Sequence, residues 1–416
     1  MLLKNLQIEI NLLKRIKNIG PGVVITSAFI GPGTVTLCSL SGIEFGYSLI
    51  WCVLFSIFAT IYLQELSSRL GIISRKGLSD VIAENKNIHI RKISYLLIFL
   101  SLFVGNTAYE SGNISGTVMG LETFVGSGIV EIYNLPINIL PILIGIFLIL
   151  VVTLGSYKSF EKLLFGLVFI MSLTFVITAV LSRPDFGDLA KGLIPRVTYN
   201  NYLYVIGLVG TTVVPYNLFL HSYIVKKKWK SIDDYKSSIT DTVISIVIGG
   251  IISISIIITA ASNQASINAS EIKTAIDLGS QLTPYLGDYS KYFISIGLFS
   301  AGITSSITAP IATSYALSGI FNYNPDWSDK KFKLISIIVI LVGITFSSIH
   351  YNPILIIKLA QFVNGLFLPL IALFLLWAVN QKQIMGNYIN SKYYNLIGVI
   401  IIVISIMIGT RSLILL

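Results

Sequence analysis

Apolar runs of about 20 residues recur from one end of the chain to the other, parted by short stretches in which Gly, Pro, Asn and Lys collect. A helix of that length crosses the hydrocarbon of a bilayer. The pattern predicts eleven helical spans, at roughly 20–41, 46–70, 93–124, 137–155, 160–182, 202–226, 238–262, 290–320, 333–350, 353–379 and 394–412. The third, sixth and eighth are long enough to be tilted or kinked. The longest polar stretches, 71–92, 183–201, 263–289 and 321–332, are too short for a soluble module. The expected organisation is a polar tail over 1–19 and one transmembrane domain over 20–416.

Two of these spans are interrupted by proline: Gly31-Pro32-Gly33-Thr34 in the first and Val214-Pro215-Tyr216-Asn217 in the sixth. Proline removes a backbone N–H and clashes with the preceding turn. Such a break survives at membrane depth only where the released polar groups face protein or a polar cavity. The breaks are five spans apart, an odd number that reverses orientation in the membrane. Spans one to five (about 20–182) and six to ten (about 202–379) therefore read as inverted repeats, with 394–412 added. This all-α arrangement is similar to LeuT-type transporters, whose solute lies between two broken helices.

Composition agrees: 54% of the 416 residues are hydrophobic and 12% charged, more apolar surface than one soluble core could use. The formal charge of +10 raises the question of a nucleic-acid partner, and its distribution answers it. Lys4, Lys14, Arg15 and Lys17 precede span one. Arg69, Arg75, Lys76, Lys86, Arg91 and Lys92 lie between spans two and three, with Lys158 and Lys162 at the next turn on that side. Lys226, Lys227, Lys228, Lys230 and Lys236 follow span six, Lys330, Lys331 and Lys333 open span nine, and Lys382 and Lys392 follow span ten. The opposite side keeps only Arg183, Lys191, Arg196, Lys273, Lys291 and Arg411, while Lys358 lies within span ten. This asymmetry predicts a cytoplasmic N-terminus and an external C-terminus, in a bacterial inner or plasma membrane, and no nucleic-acid partner. The first 17 residues lack the small-residue cleavage pattern of a removed signal peptide. Cys38 and Cys52 read as packing residues rather than a disulfide or metal pair.

The run Gly210-Thr211-Thr212-Val213-Val214-Pro215-Tyr216-Asn217-Leu218-Phe219-Leu220-His221-Ser222 resembles the sixth-span signature of the Nramp metal transporters. In that signature a Met-Pro-His-Asn core precedes Leu-Tyr-Leu-His-Ser. Tyr157-Lys158-Ser159-Phe160-Glu161-Lys162 and Arg183-Pro184-Asp185 are similar to the segments that open and close the family's fifth span. Ser300-Ala301-Gly302-Ile303-Thr304-Ser305-Ser306 is similar to its eighth, and Leu359-Ala360-Gln361 to its tenth. The resemblance covers nearly the whole chain. It implies a secondary transporter of a small solute, with no resident cofactor.

The departures fall on the site. Members of the family that carry manganese or iron are known for Asp-Pro-Gly-Asn in span one and a methionine before the span-six proline. This chain has Gly31 and Thr34 where that motif has Asp and Asn, and Val214 and Tyr216 in place of Met and the first His. The lost carboxylate is a hard anionic ligand and the lost thioether a soft one. The expected solute contacts are Gly31, Gly33, Thr34, Val214, Tyr216, Asn217 and Gln361, with Thr34, Asn217 and Gln361 as candidate metal ligands. Two readings stay open. One is a divalent cation of the manganese, magnesium or iron class, held partly hydrated by neutral oxygens. The other is a small anion or zwitterion, favoured by the partial positive charge at half-helix N-termini.

Glu110 matches the family's span-three glutamate and His221 stands one turn beyond Asn217, so these two are the candidate proton-coupling residues. The family's aspartate three residues before that glutamate is Thr107 here. Glu65 and Arg69 are spaced as an i,i+4 pair. Glu44 and Asp241, near span ends, read as solvated or capping groups. Gly112, Gly116, Gly302, Ser305 and Ser306 suit close helix packing. No Walker A run, C-x-x-C or nucleophile elbow occurs, and His89, His221 and His350 are far apart in the topology, so enzyme chemistry has no residues to rest on.

Overall fold

The structure, a computed structural model, describes residues 20–84, 88–154, 158–323, 325–349 and 352–415. The tail over 1–19, with Lys4, Lys14, Arg15 and Lys17, lies outside the described residues, as do Lys86, Tyr157 and His350.

Among the described residues all eleven expected spans are helical. The first is divided into Pro21–Phe29 (half-helix 1a) and Pro32–Phe45 (1b), and the sixth into Tyr202–Thr212 (6a) and Pro215–Lys228 (6b). The others are Ile50–Ser74, Ile88–Val125, Leu140–Leu154, Lys158–Leu181, Tyr235–Ala261, Ser290–Phe321, Lys330–Ser348, Pro353–Val379 and Lys392–Leu415. Among the described residues eight stretches are long and apolar enough to cross a membrane, and span four and the end of span five are shorter apolar helices. Their faces that touch no other helix carry large apolar side chains, such as Phe58, Leu143, Phe169, Leu341 and Met407. Lipid solvates these as well as a core would.

Span three runs longer than its hydrophobic pattern suggests, starting at Ile88, and it is wound as π-helix over Phe99–Val104. That loosened turn ends just before the polar segment carrying Glu110. Span four starts at Leu140 rather than 137, because Ile129–Ile132 and Leu135–Asn138 pair as an antiparallel hairpin. Tyr133 and Asn134 close it at φ of 51° and 61°, the two positive angles a tight two-residue turn needs. The β-branched Ile129, Val130 and Ile132 ahead of Asn134 were the available signal; the proximity of a long apolar run masked it.

The broken helices lie at the centre. Half-helix 1a packs on span seven through small residues: a Cβ added at Gly22 would come within 2.6 Å of the Asp241 carbonyl, and one at Gly249 within 2.4 Å of Phe29. Half-helix 6a packs on span ten in the same way, with Gly210 against the Gln361 backbone and Gly365 against Ile206. Close backbone approach replaces the hydrophobic driving force that lipid removes. Gly112, Gly116 and Gly302 do pack closely, meeting Ala360, Pro32 and Thr117. Cys38 and Cys52 are free and buried, as expected of packing residues.

Candidate functional site

The two breaks share one backbone solution. Ile30 and Val213 end their half-helices at ψ of 59° and 70°, Gly31 and Val214 are extended, and Pro32 and Pro215 open the following half-helices at their first position. Proline is tolerated there because that N–H has no helical partner anyway. Gly31, at φ −97° and ψ −175°, is in ordinary extended backbone that any residue adopts.

Around break one, several carbonyls of half-helix 1a accept side-chain hydrogen bonds. The Thr34 hydroxyl donates to the Phe29 carbonyl across the break, and its oxygen lies 2.8 Å from Thr211 Oγ1 of half-helix 6a. Tyr109 of span three donates to the Ala28 carbonyl at 3.2 Å, and Asn217 Nδ2 reaches the Ile25 carbonyl at 3.5 Å. At break two, Thr60 of span two is 3.4 Å from the Thr212 carbonyl, and Val213 and Val214 are buried apolar side chains.

The predicted contacts converge. Gln361 projects from span ten onto Gly33, where a Cβ would stand 2.2 Å from its Nε2. Tyr216 is fully buried with its ring 5.5 Å from that of Tyr109, edge to face. Thr34, Asn217 and Gln361 are all at most 1% exposed. Among the described residues, Asn217 Oδ1 and Gln361 Oε1 make no hydrogen bond to protein, and neither does Ser305 Oγ. Ser305 had been expected only to pack helices; the structure instead sets it against the break, 2.8 Å from where a Gly31 Cβ would be. Tyr109, Thr211 and Thr60 were not anticipated as part of the site. Thr211 stands inside a motif already singled out and Tyr109 directly precedes Glu110, but only the packing shows that they lie near the breaks.

The two proton-coupling candidates occupy different places. Glu110 is fully buried in span three, with Asn113 Nδ2 3.5 Å from its carboxylate and Gly343 of span nine pressed against its stem. His221 is fully buried in half-helix 6b, near the Gln64 backbone of span two. Among the described residues no group of three or more His, Cys, Asp or Glu side chains could hold a metal ion.

Three remaining charges have defined partners. Glu65 pairs with Arg69 at 3.1 Å as the spacing predicted, and also accepts hydrogen bonds from Tyr235 and Tyr394. Asp241, read as a group that is solvated or caps a helix, caps one that is not its own: its two oxygens take the Gly20 and Gly22 N–H groups of half-helix 1a at 2.9 and 2.8 Å. Gly20 has no side chain to do so itself, and a carboxylate suits the positive end of a helix. Glu44 is likewise engaged, accepting a hydrogen bond from Tyr204 of half-helix 6a.

Two helices broken by the same backbone device, five spans apart and facing each other across a buried polar centre, define an integral membrane protein with the LeuT transporter fold. Residues 22–415 match the family model described as Nramp, natural resistance-associated macrophage protein-like, and the chain belongs to that family. It is 25% identical to the divalent metal cation transporter MntH of Yersinia enterocolitica over 395 residues, covering 93% of this chain and 92% of that protein. It is also 25% identical to MntH of Bacillus subtilis, over 93% and 89% of the two chains. A crystal structure of the Eremococcus coleocola manganese transporter, bound to an aromatic bis-isothiourea substituted compound, superposes with a TM-score of 0.75. That likeness covers 95% of this chain and 85% of the other at 19% identity, which speaks to the fold.

Proposed function

We propose that this chain is a secondary transporter, not an enzyme, that moves a divalent metal cation across the membrane by alternating access. The observation that carries the reading is that two buried amide oxygens beside the breaks, Asn217 Oδ1 in the first turn of half-helix 6b and Gln361 Oε1 on the side chain packed on Gly33, have no protein partner among the described residues. Each such acceptor costs about 1–3 kcal/mol if left unpaired. A cation satisfies both, whereas an anion satisfies neither. Thr34 is a weaker ligand than its position suggests, since its hydroxyl already holds Phe29 and Thr211 and only one lone pair remains.

A site of neutral oxygens without carboxylate or thioether suits a hard cation that keeps part of its water, magnesium or manganese before softer metals. The basic residues set the proposed orientation, N-terminus cytoplasmic and C-terminus external. Glu110 and His221 are the proposed proton-handling groups.

The test is uptake into proteoliposomes containing only this chain, with manganese, magnesium, iron and a set of small anions offered in turn. Saturable uptake of a divalent cation, abolished by Asn217→Ala with Gln361→Ala, is the expected result. Uptake of an anion with no cation flux would replace this reading with the anionic one.

A further inference from the structure

Above the breaks, on the side that the proposed orientation makes external, three helices converge in storeys. Half-helix 1b contributes Thr34, Leu37 and Glu44; half-helix 6a contributes Thr211, Gly207 and Tyr204; span ten contributes Gln361 and Lys358. The lowest storey is the site itself, where Thr34 meets Thr211 and Gly33 meets Gln361. In the middle, Leu37, 1% exposed, is pressed on Gly207, whose added Cβ would lie 3.0 Å from Leu37 Cδ1. At the top, the Tyr204 hydroxyl donates to the Glu44 carboxylate and accepts from Lys358 Nζ at 3.0 Å. The Lys358 ammonium also lies 4.4 Å from the centre of the Tyr204 ring.

This top storey is electrostatically odd as a purely stabilising device. Glu44 is the next-to-last residue of half-helix 1b, where the helix presents its partial negative end and a carboxylate is disfavoured. Lys358 is within a membrane span, where an ammonium is costly and calls for a partner. Glu44 is exposed at the end of its half-helix, and the Tyr204 hydroxyl, bonded to both charges, ties 1b, 6a and span ten together at this level. From Thr34 to Glu44 is ten residues of helix, about 15 Å, so the bridge lies well outside the solute position.

We infer that Glu44, Tyr204 and Lys358 form the external gate of the transport cycle, latching both broken helices to span ten above a Leu37 plug. The gate rests on the alternating-access reading above. To admit solute from outside, the Tyr204 bridge must part and Leu37 must leave Gly207. These residues position the gate and do not bind solute at the site.

The experiment places a reporter at the breaks, Ser305→Cys, whose parent hydroxyl is fully buried and without a protein hydrogen bond. Its labelling by a membrane-impermeant thiol reagent is measured from each face of the membrane, against a parent that keeps only Cys38 and Cys52. Glu44→Gln, Tyr204→Phe and Lys358→Gln each remove one part of the bridge. The expected result is labelling from the external face faster by about tenfold, the scale of losing a hydrogen bond to a charged group, with Lys358→Arg restored to the parental rate. Variants that elute as folded protein are scored. External labelling unchanged in every folded variant, or raised only from the other face, overturns the gate. An absence of any ion flux in the wild type would instead remove the transport reading, leaving the labelling result to stand by itself.

Discussion

Break one and break two have the same backbone and opposite furnishings. Both follow the sequence helix end, extended residue, proline at the first helical position. Yet at break one the carbonyls of Ile25, Ala28 and Phe29 are taken by Asn217, Tyr109 and Thr34, which are a second broken helix, a neighbouring span and the break's own far side. Break two is lined by Val213 and Val214, and its Thr212 carbonyl is approached by the Thr60 hydroxyl at 3.4 Å. Proline decides where a helix parts; the neighbours decide what the opening can hold. The polar capacity of the centre thus comes from residues one turn away or on other spans, Asn217 and Gln361 foremost.

The largest effect should follow removal of that capacity. Asn217→Ala or Gln361→Ala should each weaken cation binding by roughly 10- to 150-fold, corresponding to about 1.5–3 kcal/mol for an interaction with a charged partner. Titration calorimetry with manganese and magnesium reads this directly. If break two and span ten contribute nothing, both variants will bind as the wild type does.

Next in size is a gain. Gly31→Asp with Val214→Met supplies at the two breaks a carboxylate and a thioether, and manganese affinity should rise about tenfold or more over magnesium. Gly31 has extended backbone that aspartate adopts, and the obstacle is Ser305 Oγ, 2.8 Å from the new Cβ. Adding Ser305→Ala should therefore increase the gain. No change in either ion's affinity on folded protein would show that the breaks are not where the cation sits.

Unequal bonding predicts unequal fragility. Tyr109→Phe leaves the Ala28 carbonyl buried without its donor and should lower stability by about 1–3 kcal/mol. Thr60→Val should do less, because its contact to Thr212 is long and the hydroxyl already bonds Ser56 at 2.7 Å. Thermal unfolding in detergent ranks the two, and a larger loss for Thr60→Val would reverse the contrast between the breaks.

The smallest effect is expected for coupling. Glu110→Gln should flatten the pH dependence of uptake while leaving cation affinity within about threefold, since the carboxylate lies off the breaks against span nine. His221→Ala, made in parallel, tests the other candidate. Uptake with an unaltered pH profile in both would make them packing residues.

Much of this architecture was legible because its signals are local. Proline within an apolar run marks a break, and the odd separation of the breaks marks the inverted repeat. The Glu65–Arg69 pair was readable for the same reason, being four residues apart on one helix. What failed to show is whatever depends on helix packing. Asp241 caps half-helix 1a across 219 residues, and Tyr204 meets Glu44 across 160. Ser305 belonged to a run of small residues whose packing role was evident, while its orientation toward Gly31 is fixed only by how span eight seats on the break. The hairpin before span four was hidden because its strands are only four residues long and run into an apolar helix.

The most direct test of the central claim is calorimetric titration of the purified chain with manganese and magnesium, beside the Asn217→Ala, Gln361→Ala double variant. Saturable binding of one ion per chain by the wild type, lost in a double variant that still unfolds cooperatively, is the predicted result. Binding that survives in the double variant, or a wild type that binds neither cation but does bind a small anion, would contradict it.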